Sequence, residues 1–97
     1  MKEYMIEIDL PEMFTETFMS KIPEQRDHIN KLLARGIIRS YTLSLDRSKL
    51  WIVAIAEDEF AVIQMIDRFP LAEYMIPDIT ELMFHNSQEQ VLQFSLN

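Results

Sequence analysis

Two side chains of this 97-residue chain have the chemistry of an acid–base pair: Glu7 near the amino end and His85 far along the chain. A carboxylate and an imidazole can pass a proton between carbons when a fold brings both to one reacting group and tunes their protonation. Glu7 falls on the opposite side of a period-two pattern from Tyr4, Ile6 and Ile8. If those three face helices, Glu7 enters a covered sheet face, where burial raises a carboxyl pKa toward that of a useful base. The plain alternative is an edge-exposed carboxylate. Glu81 shares a strand side with Ile79, Met83 and His85, yet four residues of extended chain hold Glu81 and His85 about 13 Å apart. His85 is therefore set against Glu7 from a neighbouring strand, with a surface strand end as its alternative. His28, beside Leu32 in a helical stretch, reads as solvated. Tyr41 and Tyr74 offer phenolic donors, and both also suit packing with a hydrogen-bonded tip. Two histidines so far apart and no cysteine make no ligand spacing, so no metal is expected.

Composition narrows what these groups can serve. A 97-residue chain is one domain and buries only about two-thirds of its unfolded surface, so self-association would help it. Hydrophobic residues at 48% against 26% charged are a globular balance. A net charge of −7 repels a phosphate backbone and an anionic membrane surface, so neither nucleic acid nor membrane is an expected partner. The absence of cysteine removes disulfides and thiolate nucleophiles. The first ten residues alternate rather than forming an apolar core, and no apolar run is long enough to span a bilayer, which makes the cytoplasm the expected location.

The elements that must position the candidates can be read from periodicity. Lys2 to Leu10 alternates as a strand ended by Pro11. From about Thr15 to Arg35 the spacing turns helical through Phe18, Ile22, Ile29, Leu32 and Leu33; Pro23 divides it, and Gly36 supplies a left-handed cap. Ile37 to Leu45 and Leu50 to Ala56 read as strands, joined by turn chemistry at Asp46, Arg47 and Ser48. Glu57, Asp58 and Glu59 open a second helix whose buried face is Ala61, Ile63, Met65, Ile66 and Phe69, with Pro70 ending it. A last strand lies within Met75 to Phe84. The order β-α-β-β-α-β predicts an α+β ferredoxin-like fold with a four-stranded antiparallel sheet, helices on one face and the other bare. Trp51, Val53 and Ile55 alternate with Leu50, Ile52 and Ala54, so apolar side chains meet both faces. Leaving the bare face wet forfeits roughly 1.5–3 kcal/mol per large side chain. A second copy, sheet against sheet, would cover it as a homodimer, a dimeric α+β barrel. Residues 1–97 are read as one domain, with 86–97 a tail that packs on a neighbouring subunit.

Arg35-Gly36 and Arg39, the apolar strand around Val53, then Phe69-Pro70-Leu71, Tyr74-Met75, Leu82 and His85 resemble the muconolactone isomerase family. There a helix ends in Gly, a strand with an Arg follows, and a Leu-Pro-Leu-x-x-Tyr-Met segment leads into a last strand that ends near a His. The resemblance spans roughly half the chain, and Leu10-Pro11 adds a weak match. It implies paired or further assembled ferredoxin-like subunits, with a pocket between sheet and helices or at a subunit contact. It also implies a double-bond shift by proton transfer in a small unsaturated lactone, a reaction that uses no cofactor. On this resemblance Arg39 holds a substrate carboxylate; from the residues' own placement, Glu7 or His85 would handle protons and Tyr41 or Tyr74 would steady an enolate oxygen. The family's aromatic and basic residues after that Arg are Ser40, Tyr41, Thr42 and Leu43 here, so the ligand is expected to differ from muconolactone.

Two classes of function follow. One is a cofactor-free isomerase acting on a small lactone or carboxylic acid; the other is a non-catalytic ligand-binding or assembly module of the same fold, since one architecture hosts unrelated activities.

Overall fold

The computed structural model describes residues 1–86. Strand β1 (Lys2–Asp9) leads into a short helix α1 (Glu16–Ser20) and a longer one, α2 (Ile22–Ala34). The hairpin β2 (Ile38–Leu43) and β3 (Lys49–Ala56) follows, then α3 (Glu59–Asp67), a 3-10 turn at Ala72–Tyr74 and β4 (Ile76–Leu82). The sheet runs β2-β3-β1-β4 with every neighbouring pair antiparallel. This is the expected ferredoxin-like arrangement. No helix among the described residues is long and apolar enough to cross a membrane. The expected tail contact of 86–97 lies almost wholly outside the described residues.

Local chemistry sets these boundaries. The Thr15 hydroxyl accepts from the Phe18 N–H and caps α1, and Pro23 sits in the first turn of α2, where its missing N–H costs nothing. Gly36, at φ 74°, carries the chain out of α2 in the left-handed region. Asp58 caps α3 through the Ala61 N–H. In the β2–β3 turn the Asp46 carboxylate gathers the Ser44 and Ser48 hydroxyls and the Ser48 N–H, while Arg47 takes a left-handed φ of 64°.

All helices cover one sheet face. Tyr4, Ile6 and Ile8 of β1, Ile38 of β2 and Leu50, Ile52 and Ala54 of β3 pack there with Phe18, Ile29, Val62, Ile66 and Phe69. Two details of α3 differ from the periodicity reading: Val62 is fully buried, whereas Ile63 is exposed. The helix begins at Glu59, the last residue of the acidic run, with Asp58 as its cap, and its buried face runs through Val62 and Ile66. His28 also departs from expectation, its ring half-buried and edge-to-face with Phe69 at 5.7 Å.

The helix-free face is less uniformly apolar than expected. By register, one region carries Met5, Val53, Ile55 and Leu82 around Glu3 and Thr80, while Glu7, Asp9, Lys49 and Asp78 make the other end polar.

Candidate functional site

The layer between helices and sheet does not close at one end. There α1, α2, the outer half of the β2–β3 hairpin and the segment after α3 enclose a cavity of about 360 Å³. Its walls are Leu10, Phe14, Phe18, Ile22, Ile29, Leu33, Leu43, Leu50, Leu71 and Met75, with Gln25, Arg26, Asn30 and Tyr41 as the polar members. An apolar chamber with a few placed polar groups is the usual form of a small-molecule site.

Each wall has a local cause. Capping by Thr15 fixes α1, and Phe14 stacks on Phe18 with ring centroids 4.2 Å apart. Ile22, Gln25, Ile29 and Leu33 recur at spacings of three and four, so they line one side of α2. Arg26 and Asn30 follow one position behind Gln25 and Ile29 and stand exposed at the rim. Tyr41 and Leu43 alternate with Thr42 and so share one face of β2; their register partners are Ile52 and Leu50.

Gln25 is the buried polar residue of the core, 4% exposed. Its Oε1 accepts from the Leu71 N–H at 3.1 Å, and its Nε2 donates to the Tyr41 hydroxyl at 3.3 Å. One side chain thus ties α2 to β2 and to the segment before β4. Burial pushes the Tyr41 phenol above its ordinary pKa, with the Gln25 hydrogen bond opposing in part, so the hydroxyl is a neutral donor at neutral pH. Arg26 forms no ion pair among the described residues, which leaves its guanidinium free to meet an anion at the mouth.

Of the residues singled out in the sequence, Tyr41 alone lines this cavity. Tyr74 stands behind its wall, edge-to-face with Phe18 at 5.0 Å and with Lys21 Nζ 5.9 Å from its ring centroid. Lys21 also pairs with Glu73, which raises its pKa. Arg39 occupies the irregularity between Ile38 and Ser40 on edge strand β2, exposed and away from the cavity lining.

Glu7 lies on the helix-free face, its side chain 44% exposed, accepting from Trp51 Nε1 at 2.9 Å and lying 3.6 Å from Lys49 Nζ. No helix covers that face, where Glu7 is held by the Trp51 indole and Lys49. His85 lies three residues beyond the end of β4. The β1–β4 register places Asp78 opposite Glu7 and Leu82, the last residue of β4, opposite Glu3. Among the described residues no hydrogen bond or ion pair joins Glu7 to His85.

Gln25, Arg26 and Asn30 were missed by sequence reasoning. The readable signal was Gln25, an amide set between Ile22 and Ile29 in an otherwise apolar helical stripe. Such a residue is buried only with partners.

No family model and no curated protein sequence matches the chain. Solved structures do. The ferredoxin-like α+β architecture is that of muconolactone isomerase, whose structure superposes with a TM-score of 0.68 at 17% identity, over 89% of this chain and 93% of that one. A second similar structure is 5-chloro-2-hydroxyhydroquinone dehydrochlorinase from Burkholderia phenoliruptrix AC1100, in complex with 2,5-dihydroxybenzoquinone. It gives a TM-score of 0.59 at 12% identity, over 90% of this chain and 97% of that one. At these identities the likeness is one of fold.

Proposed function

We propose that the protein binds a compact unsaturated carboxylic acid or lactone in the cavity between α1, α2 and the β2–β3 hairpin. The observation that carries this reading is an apolar chamber of about 360 Å³ with the Tyr41 hydroxyl in its wall and Arg26 at its mouth. A ring-sized apolar body would fill the chamber, a ring carbonyl would accept from Tyr41, and a carboxylate would meet Arg26. Arg39, assigned that last role from the family resemblance, stands outside the cavity. The solved neighbours support small cyclic ligands as the class to try first, one being an isomerase of a lactone and the other bound to a quinone. Titration of the protein with benzoate and α-angelica lactone, followed by amide shifts in NMR spectra, tests the reading. Shifts centred on Tyr41, Gln25 and Leu71 support it, and shifts scattered over the helix-free face count against it.

A second reading, a double-bond-shifting isomerase, is favoured by Tyr41, since a neutral phenol in an apolar wall would steady an enolate oxygen. Proton abstraction also needs a base, and no carboxylate or imidazole lines the cavity among the described residues. Binding is therefore the stronger reading of the single chain, and exchange of substrate protons in heavy water is the test of turnover. Both readings accommodate a homodimer, covered sheet to sheet through Met5, Val53, Ile55 and Leu82, and a cytoplasmic protein.

A further inference from the structure

The cavity's hydrogen-bonding polarity is fixed by a chain of three groups. The Leu71 N–H can only donate, so the Gln25 atom that meets it at 3.1 Å must be the carbonyl oxygen. That assignment turns the Gln25 NH₂ toward Tyr41, and an amide nitrogen has no lone pair to offer. The Tyr41 oxygen, 3.3 Å away, must then accept. Its own proton cannot point back at Gln25, and among the described residues no protein acceptor takes it. A half-buried hydroxyl in a cavity wall, with its oxygen engaged and its proton unclaimed, presents a donor to the cavity.

We infer that Gln25 is a positioning residue that orients the Tyr41 hydroxyl so that the cavity selects ligands bearing a hydrogen-bond acceptor alone over equally shaped ligands whose oxygen also carries a proton. This rests on the reading of the cavity as a ligand site and adds its specificity: a carbonyl or carboxylate oxygen facing Tyr41, and a disadvantage for an alcohol, whose oxygen could accept from Tyr41 only with its own proton left unpartnered against the apolar wall. The helix supplies the residue, the segment after α3 supplies the backbone donor that locks its orientation, and β2 supplies the group that reads the ligand. The selection therefore depends on all three elements keeping their places.

Cyclohexenone, whose oxygen only accepts, and cyclohexenol, of similar shape but with a proton to place, are the probes. In NMR titrations the wild-type protein should bind the ketone about five- to tenfold more tightly, the worth of one net hydrogen bond. The carbonyl stretch of the bound ketone should shift to lower frequency. Gln25→Glu reverses the logic: one carboxylate oxygen still accepts from Leu71, the other accepts the Tyr41 proton, and the hydroxyl turns a lone pair toward the cavity. The preference should then vanish or invert above the glutamate's pKa and return as the pH falls through it. Should that variant fail to fold, Tyr41→Phe removes the donor alone, and the ketone should lose its advantage and its shifted stretch while the alcohol's affinity stays within about twofold.

Equal binding of the two probes by the wild-type protein, or an unchanged preference in Tyr41→Phe, overturns the inference and leaves the binding reading standing. Failure of both probes and of the carboxylate and lactone titrations to perturb the cavity overturns the two together.

Discussion

The Trp51 indole donates to the Glu7 carboxylate at 2.9 Å, and the two residues are direct register partners across β1 and β3 on the face away from the helices. The pair belongs to the sheet's outer surface, on the opposite side from the cavity. Glu7→Ala should cost about 1 kcal/mol in urea unfolding through loss of this hydrogen bond. The affinity for benzoate should be unchanged. A tenfold loss of affinity on Glu7→Gln, with stability intact, would place Glu7 in the site instead.

Arg26 should matter to charge alone. It is exposed at the rim, so its contact with an anion is screened, and Arg26→Ala should weaken benzoate binding roughly fivefold while leaving the neutral lactone unaffected. Added salt should shrink the difference. Equal losses for both ligands would point to a change in cavity shape.

The β2–β3 turn predicts an acid-sensitive contribution to stability. Hydrogen bonds from the Ser48 and Ser44 hydroxyls and the Ser48 N–H lower the Asp46 pKa from the ordinary 3.8 to about 2. A carboxyl depressed in the folded state adds stability above its unfolded pKa and loses it as the pH falls through the folded one. Asp46→Asn should therefore flatten the fall in stability between about pH 4 and pH 2. Thermal unfolding at a series of pH values in that window checks it, and parallel curves for the two proteins would contradict it.

Two left-handed residues separate strain from space. A Cβ at Gly36 would meet nothing within 4 Å, so Gly36→Ala should cost only the conformational penalty, about 1 kcal/mol. Arg47 already bears that penalty at φ 64°, and Arg47→Gly should recover about 0.5–1 kcal/mol. Urea denaturation measures both. A loss of several kcal/mol at Gly36 would mean a clash rather than a torsional cost.

The apolar half of the helix-free face should hold a second copy. Sedimentation at micromolar concentration should give a dimer for the wild-type protein and a monomer for Met5→Glu, whose charge would be buried between sheets. A monomeric wild type would remove the homodimer.

Element order and the core were legible because alternation in Lys2–Asp9, helical spacing around Ile22 and Ile29, and the cap at Gly36 are local signals. The candidate site was less legible. Tyr41 was found as a polar group on a strand, but Arg39, two positions before it, fell at the Ile38/Ser40 irregularity, which periodicity does not announce. Glu7 and His85 were paired by chemistry, and only the structure shows Glu7 bonded to Trp51 and His85 three residues beyond the end of β4. Gln25 acquires meaning from Leu71 and Tyr41, 46 and 16 residues away, contacts that no local pattern contains.

The most direct test of the cavity as a small-molecule site is a crystal structure of the protein soaked with benzoate. The account predicts the ring between Phe18, Ile22 and Leu71, with the carboxylate reaching Tyr41 or Arg26. A cavity left unfilled at saturating benzoate, with the ligand bound instead on the helix-free face beside Trp51, would contradict it.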